Sequence, residues 1–514
     1  MKLDSSNSDY RLNITKMGNF AFLFFVILYS VYMIFLAYKL DLSYDEPYSL
    51  HTSANNLTEV VLLSYQFEFQ PPAYFVILSL WRTINEGIIY ARLLSLIFTF
   101  LSAFYIFKIT RLIFDKIYTR WFIVLFLLNP FTVYASVEIR LYSMLIFLTI
   151  LAFYLFYLIY FFERNNLKIV FVIISTIGVY TQYFFVFLII SFAVILLYTK
   201  KWRYLFNYIL LSFIIALLFI PNLIFLTEQF AVYHDSLMNY TFFDRVKSVI
   251  MSSMEFFSIA TGLHAGRIGR WIIRITFISF YVLTFWKFYI KNKITESQDF
   301  RNLRYILLQT IFLSVIFIAA FSFTDLVFAI RYVTILFPFH ILLLVIFGIY
   351  SPKIRDFIYL IFAAFLLMNV ATTFKTPYKK SYDFRSIANY AQKNQLENEP
   401  VLFLNNDLML GLKHIYENDE SFISLPEFQY NHNLYTNYVK DTTELNELIT
   451  KIKSGSPSFL LITGTDLGYL RNKDLTNEMI DNYLKNNFTI PVDTVMEGNL
   501  PVDFMRIRRI IKNQ

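Results

Sequence analysis

The chain contains no cysteine. That excludes disulfide frameworks, thiolate metal sites and cysteine nucleophiles. Glycine is scarce, 12 in 514 residues, and none of it builds a phosphate-cradling loop. The one candidate, "GLHAGRIG" at 262–269, lacks the strand–helix context such loops need. The six histidines are scattered, and no clustered metal-ligand spacing occurs. There is no internal repeat, no low-complexity tract and no short cleavable leader. Residues 1–17 are polar and carry Lys2, Arg11 and Lys16. The run from Phe20 to Leu40 is long enough to cross a bilayer and too long for a signal peptide, so it reads as a retained first helix.

What is present is apolar. Hydrophobic residues make up 57% of the chain, aromatics 20%, and charged residues only 16%. A soluble domain is roughly 45–50% apolar, so the excess belongs in lipid. The net charge of +8 does not mark a nucleic-acid binder. The basic residues sit in short clusters between apolar runs, which is the positive-inside pattern.

About eleven spanning helices are expected, with up to thirteen if the ambiguous runs are counted. They lie at 19–40, 90–110, 120–136, 141–162, 167–180, 182–198, 203–224, 271–290, 303–323, 327–349 and 354–372. With the N-terminus inside, every alternate connection is basic: Lys108 to Arg120, Arg164 and Lys168, Lys200 to Arg203, Lys291 to Arg304, and Lys353 with Arg355. The first outer connection, 41–89, is long. It is too polar to span at 41–70, and "PPAYFVILSLWRTI" (71–84) is too short, so both parts read as helices on the membrane surface. Residues 375–514 form a second domain, after a membrane domain at 1–374. "PVLFL" (400–404) and "SFLLIT" (458–463) read as strands; 383–392, 445–453 and 477–488 have helical spacing. This alternation indicates a small α/β domain, and an odd number of spans puts it on the outer face.

Chemistry concentrates at outer helix ends. "DLSYDEPYSLH" (41–51) follows the first span with Asp41, Asp45 and Glu46. By itself an acidic dipeptide is more often a solvated loop. At a membrane–water interface, Asp45 is also where a general base for a lipid-linked substrate would stand. Asp41 reads as an ordinary solvated residue. Pro47 marks the start of a surface helix. "FEFQPPAYFVI" (67–77) places Gln70 before a Pro-Pro turn, and a plain turn explains it as well as a ligand role does. "NPFTVYASVEIRLYSML" (129–145) crowds Tyr134, Glu138, Arg140 and Tyr142 between two spans, either as a sealed ion pair or facing a protein cavity. The aromatic cluster "YTQYFF" (180–185) reads as an interfacial belt. Arg331 and Tyr332, ahead of Pro338, sit near the outer end of a late span, where a guanidinium can meet a phosphate or snorkel. Arg267 and Arg270 raise the same prospect less specifically.

In order and topology these motifs resemble the GT-C membrane glycosyltransferases, specifically the dolichyl-phosphate-mannose protein mannosyltransferases and the lipid A aminoarabinose transferases. The resemblance runs through most of residues 15–375. It rests on Asp45–Glu46, on "QPP" at 70–72, on Arg92 in "YARLLS", on Asn129–Pro130, on Glu138, Arg140 and Tyr142, and on Arg331–Tyr332 with Pro338. Gln70 stands where the family usually has histidine, which implies a different acceptor. The resemblance implies a sugar donor on a polyprenyl phosphate, Asp45 as base, and arginines on the lipid phosphate. It implies no certain cofactor; a divalent metal is left open, with Glu46 or Glu138 able to join Asp45. The expected partners are that donor, an acceptor glycan, lipid or protein, and the bilayer, with no nucleic acid. A bacterial plasma membrane is the expected location. A transporter or flippase is the alternative, although such folds often show repeats and mid-membrane charges that this chain lacks. A membrane anchor displaying the C-terminal domain is a third, and ten further spans exceed that need.

Overall fold

The computed structural model describes residues 5–113, 116–235, 241–244, 246–247, 275, 279, 282–284, 286, 298–322, 330–349, 355–374, 378, 381–404, 408–416, 419–429, 439, 441–452, 457–464, 477–498 and 504–512. They form two compact units. The first holds residues 1–39, 92–224 and 233–373; the second holds 40–91, 225–232 and 374–514.

The first unit is helical. Its elements are α1 (Ser5–Lys39), α5 (Ile88–Ile113) from Arg92 on, α6 (Lys116–Leu127), α7 (Pro130–Ser136) and α8 (Tyr142–Phe161). After these come α9 (Lys168–Val179), α10 (Phe185–Tyr198), α11 (Trp202–Phe219), α13 (Gln298–Ser322), α14 (Phe337–Ile349) and α15 (Arg355–Thr373). Among the described residues, four helices are individually long and apolar enough to cross a membrane: Asn19–Lys39, Ile88–Leu112, Tyr142–Phe161 and Trp202–Phe219. They differ in what surrounds them. The apolar window of α8 is 78% buried, so this helix is the core of the unit. That of α11 is only 11% buried and shows Phe206, Ile209, Leu210 and Phe213 outward. A helix apolar all round and exposed in water would be untenable; in lipid it is at rest.

Aromatic side chains join the helices. Phe156 of α8 stacks on Phe192 of α10 at 4.2 Å, Phe153 meets Phe339 of α14 edge-on at 5.3 Å, and Trp121 of α6 meets Tyr359 of α15 at 5.4 Å. Close approach of α14 and α15 needs Gly348, where any side chain would collide with the Tyr359 ring. Two expected spans are interrupted. The run 120–136 breaks between α6 and α7, because the side chain of Asn129 caps α7 by accepting from Phe131 N at 2.9 Å and Pro130 opens the helix. The run 327–349 begins as a 3-10 segment, Ile330–Leu336, before α14. The span expected at 271–290 falls mostly outside the described residues.

The second unit joins the first outer connection to the C-terminal region. It contains α2 (Glu46–Thr52), α3 (Leu57–Gln66), α4 (Ala73–Arg82) and part of α12 (Asn222–Asp235). Tyr65 of α3 stacks on Phe225 at 4.0 Å, and Gln229 donates to Tyr65 O at 2.8 Å. The C-terminal part carries α16 (Phe384–Asn394), β1 (Val401–Phe403), α17 (Leu408–Lys413), β2 (Phe422–Ser424), α18 (Thr442–Ile452), β3 (Ser458–Gly464), α19 (Asn477–Asn487), β4 (Phe488–Glu497) and β5 (Phe504–Lys512). Its sheet runs β2-β1-β3-β5-β4. β2, β1 and β3 are parallel, with Val401 opposite Phe422 and Leu460; β5 is antiparallel to both β3 and β4. β1 and the centre of β3, residues 459–462, are uninterrupted apolar runs, as strands buried on both faces require. α18 and α19 cover one face through Leu445, Ile449, Ile480 and Leu484. β4 is one of the two edge strands, which is why it tolerates Pro491 and a bulge between Thr489 and Val492.

Candidate functional site

The candidate residues divide between the two units. In the second, the acidic loop is held from three sides. Asp41 N donates to Tyr378 O at 3.0 Å. The Asp41 carboxylate accepts from Leu42 N at 2.8 Å and from Arg385 N at 3.0 Å. The Arg385 guanidinium lies 3.9 Å from that carboxylate and donates to Leu40 O at 3.2 Å. Asp41 is therefore not a solvated residue; it is 4% exposed. The expectation failed because its partner is 344 residues away in sequence. Burial raises the Asp41 carboxyl to about 6, against the pull of its two backbone donors and of Arg385.

Asp45 and Glu46 separate at the start of α2. Glu46 is fully buried, and its Oε2 accepts from Ser43 N at 2.8 Å, closing the loop on itself. Asp45 is half-buried and occupies the N-cap position, but its side chain does not cap the helix. Pro47 sits in the first turn, where its missing donor costs nothing. Beyond α3, Phe69 holds φ 54 immediately before Gln70 and Pro71, a left-handed backbone at a non-glycine residue. Such strain costs about 1 kcal/mol or more. Gln70 is half-buried, its N–H donating to Ser64 O at 3.0 Å.

A line of rings runs beside Asp45. Tyr382 lies 5.9 Å from Tyr44, Tyr44 lies 5.7 Å from Tyr48, and Tyr48 lies 5.1 Å from Phe67. Phe67 in turn meets Phe428 at 5.9 Å. Tyr44, Tyr48 and Phe67 are each half-buried.

In the first unit, the connection between α7 and α8 is buried throughout. Glu138 is fully buried, while Arg140 and Tyr142 are each 6% exposed. Ser95 Oγ of α5 donates to Glu138 O at 2.6 Å, and the Thr99 and Ser136 hydroxyls are 2.9 Å apart. The Tyr134 and Tyr142 rings lie 6.3 Å apart. Arg92 is fully buried in α5 and donates from Nη1 to Ala37 O in the last turn of α1, at 2.8 Å. At least one of its donors thus ties two helices together. The 3-10 segment carrying Arg331 and Tyr332 packs on α8. Phe337 follows it and meets Phe131 of α7 at 5.0 Å, so the "NPF" and "RY" motifs converge. Tyr332 also meets Phe184 at 5.2 Å, which brings "YTQYFF" to the same place, a convergence the aromatic-belt reading did not anticipate. The Arg331 side chain, and Arg267 and Arg270 entirely, lie outside the described residues. Among the described residues no three His, Asp or Glu side chains gather as a metal site would need.

The fold defines the class: a mostly helical chain with several helices apolar enough to cross a membrane and a small C-terminal sheet domain. Two solved structures that share it are of ArnT from Cupriavidus metallidurans. The apo structure covers 95% of this chain and 98% of its own, with a TM-score of 0.58 and 12% sequence identity. The structure bound to undecaprenyl phosphate covers 94% and 98%, with a TM-score of 0.55 and 12% identity. No protein-family model and no curated protein sequence matches the chain.

Proposed function

We propose that the chain is a membrane glycosyltransferase that moves a sugar from a polyprenyl-phosphate donor to a hydroxyl acceptor at the outer membrane face. The observation that carries this is the shared fold over nearly the whole of both chains, with an ArnT structure that holds undecaprenyl phosphate. Asp45 is the base. Of the two adjacent carboxylates it is the one within reach of solvent, whereas Glu46 is closed into the loop.

In the reaction, Asp45 takes the proton of the acceptor hydroxyl. The freed oxygen bonds to the anomeric carbon, and the bond from that carbon to the phosphate oxygen breaks. The configuration inverts, and polyprenyl phosphate leaves with the added negative charge. Arg331, Arg140, Arg267 and Arg270 stabilise that charge, with Tyr134, Tyr142 and Tyr332 beside it; fixed cations act strongly where water is scarce. Arg92 and Glu138 hold the helix ends of this region. Gln70, next to the strained Phe69, contacts the acceptor. The N-terminus is cytoplasmic and residues 375–514 face outward.

General-base help is typically worth about 10²–10⁴-fold. Purified Asp45→Asn protein, given donor and acceptor in detergent, is expected to lose turnover by that factor while still binding donor. Unchanged transfer would remove Asp45 from the base role. Covalent sugar transfer by the wild type in detergent, where no compartments exist, separates this reading from a flippase.

A further inference from the structure

The line of rings beside Asp45 is closed at its ends and half-open in its middle. The end rings come from the C-terminal part of the chain and are buried: Tyr382 is 3% exposed and Phe428 is 8% exposed. The three between them, Tyr44, Tyr48 and Phe67, come from the first outer connection and keep part of their surface outward. From Tyr382 to Phe67, successive rings are turned against one another by 51°, 52° and 45°, and Phe428 meets Phe67 at 89°. No pair in the line lies face on face. Tyr65 and Phe225 show the alternative: 4.0 Å apart and 3° from parallel, they cover each other's faces.

The backbone holds these rings in place. Tyr44 immediately precedes Asp45, and Tyr48 follows it by three residues, the spacing that brings side chains together on a helix. Phe67 ends α3: Phe67 N and Glu68 N both donate to Leu63 O, at 2.8 and 3.0 Å, before the left-handed Phe69 turns the chain. Phe428 N donates to Ser424 Oγ of β2 at 2.9 Å, and Tyr382 meets Phe384 of α16 edge-on at 5.8 Å. Rings fixed in this way lose little freedom when a ligand settles on them. The strip is also amphipathic. The Tyr44 and Tyr48 hydroxyls meet at 3.3 Å, and apolar Phe67 follows.

We infer that Tyr44, Tyr48 and Phe67 form a saccharide platform and that the acceptor is a sugar ring, carried by a free oligosaccharide or by a glycolipid. A sugar ring has an apolar face of C–H groups and a rim of hydroxyls. Its C–H groups are slightly positive and settle on the negative face of an aromatic ring, while its hydroxyls find tyrosine oxygens. A lipid chain would match Phe67 and strand the hydroxyl pair. The acceptor role rests on the reading of Asp45 as the base; the binding itself does not. The C-terminal part gains a task, because Tyr382 and Phe428 back the strip from both ends.

The test uses the purified full-length chain in phosphatidylcholine nanodiscs. Tetranitromethane nitrates accessible tyrosine rings, and the chain has no cysteine to compete for it. Peptide mass spectrometry reads Tyr44 and Tyr48 separately, with exposed Tyr198 as internal reference. At least one of chitotriose, maltotriose and mannotriose is expected to slow nitration of both at least fivefold relative to Tyr198, and glycerol is expected to do nothing. Phe67→Leu keeps an apolar side chain without a ring face and is expected to abolish the protection; Phe67→Tyr is expected to keep it. Protection that appears only with monogalactosyl diacylglycerol in the nanodisc assigns the sugar to a glycolipid. Protection by phosphatidylglycerol, which carries no sugar, overturns the inference. So does unaltered nitration with every saccharide, or protection that survives Phe67→Leu. Asp45→Asn is expected to leave the protection intact. Failure of the platform therefore leaves the base standing, and an active Asp45→Asn enzyme that is still protected removes the base alone.

Discussion

Asp41 gives the sharpest quantitative test of how the acidic loop is held. Its carboxyl is buried and raised from an ordinary 3.8 to about 6. The folded protein therefore holds this proton more tightly than the unfolded chain does. Asp41 adds stability in full below about pH 3.8 and loses it as the pH climbs through about 6. At 1.36 kcal/mol per unit the whole effect is about 3 kcal/mol. Asn cannot ionise, and it keeps an oxygen that accepts from Leu42 N or Arg385 N. Asp41→Asn should thus match the wild type near pH 4 and be the more stable protein at pH 7.5, by up to about 3 kcal/mol, or roughly 150-fold in protection. Other carboxylates titrate in both proteins, so the difference isolates Asp41. Hydrogen exchange of residues 40–52 and 381–394 in the full chain, corrected for the intrinsic pH dependence, reads it. A difference between the two proteins that stays constant from pH 4 to pH 7.5 would refute the reasoning, as would a less stable Asp41→Asn at neutral pH.

Two further outcomes are expected. Asn129→Ala removes the acceptor of Phe131 N at a fully buried helix start; a lost cap costs about 1–2 kcal/mol, so thermal unfolding in detergent should come several degrees earlier, and an unmoved midpoint would contradict the capping role. Because the chain has no cysteine, a single cysteine introduced at exposed Glu447 or Glu478 reports its side directly; an impermeant maleimide should label both from outside intact cells, and labelling only after lysis would invert the proposed topology.

Much of the fold was legible because local chemistry wrote it. Phe20 to Leu40, the Pro-Pro turn between α3 and α4, Pro47 in the first turn of α2, and the strands at 401–403 and 458–464 all carry their signals within a few residues. The last two strands did not. β4 contains Pro491, which argues against a central strand, and only its edge position makes room for it. β5 carries no local strand signal of that kind, since Arg506, Arg508 and Arg509 break its apolar run. Their ion pairs with Asp481, Asp493 and Glu399, between 13 and 110 residues away, bring it into the sheet.

The same distinction between local and distant causes governs the candidate site. A sequence shows which carboxylates stand together; it does not show which of them the fold will bury. Asp41, Asp45 and Glu46 lie within six residues of one another, yet each ends in a different state. Asp41 is captured by Arg385, and Glu46 turns back on Ser43, leaving Asp45 half-buried at the start of α2. Two structural carboxylates fix the loop, and the third is the one the proposed reaction uses as its base. That division of labour makes the pair of substitutions at 41 and 45 separable: Asp41→Asn changes the pH at which the loop opens, and Asp45→Asn changes turnover at a pH where the loop is closed. A shared phenotype, with both altering turnover equally at every pH, would mean that the loop acts as one cluster of acids and that no single base exists.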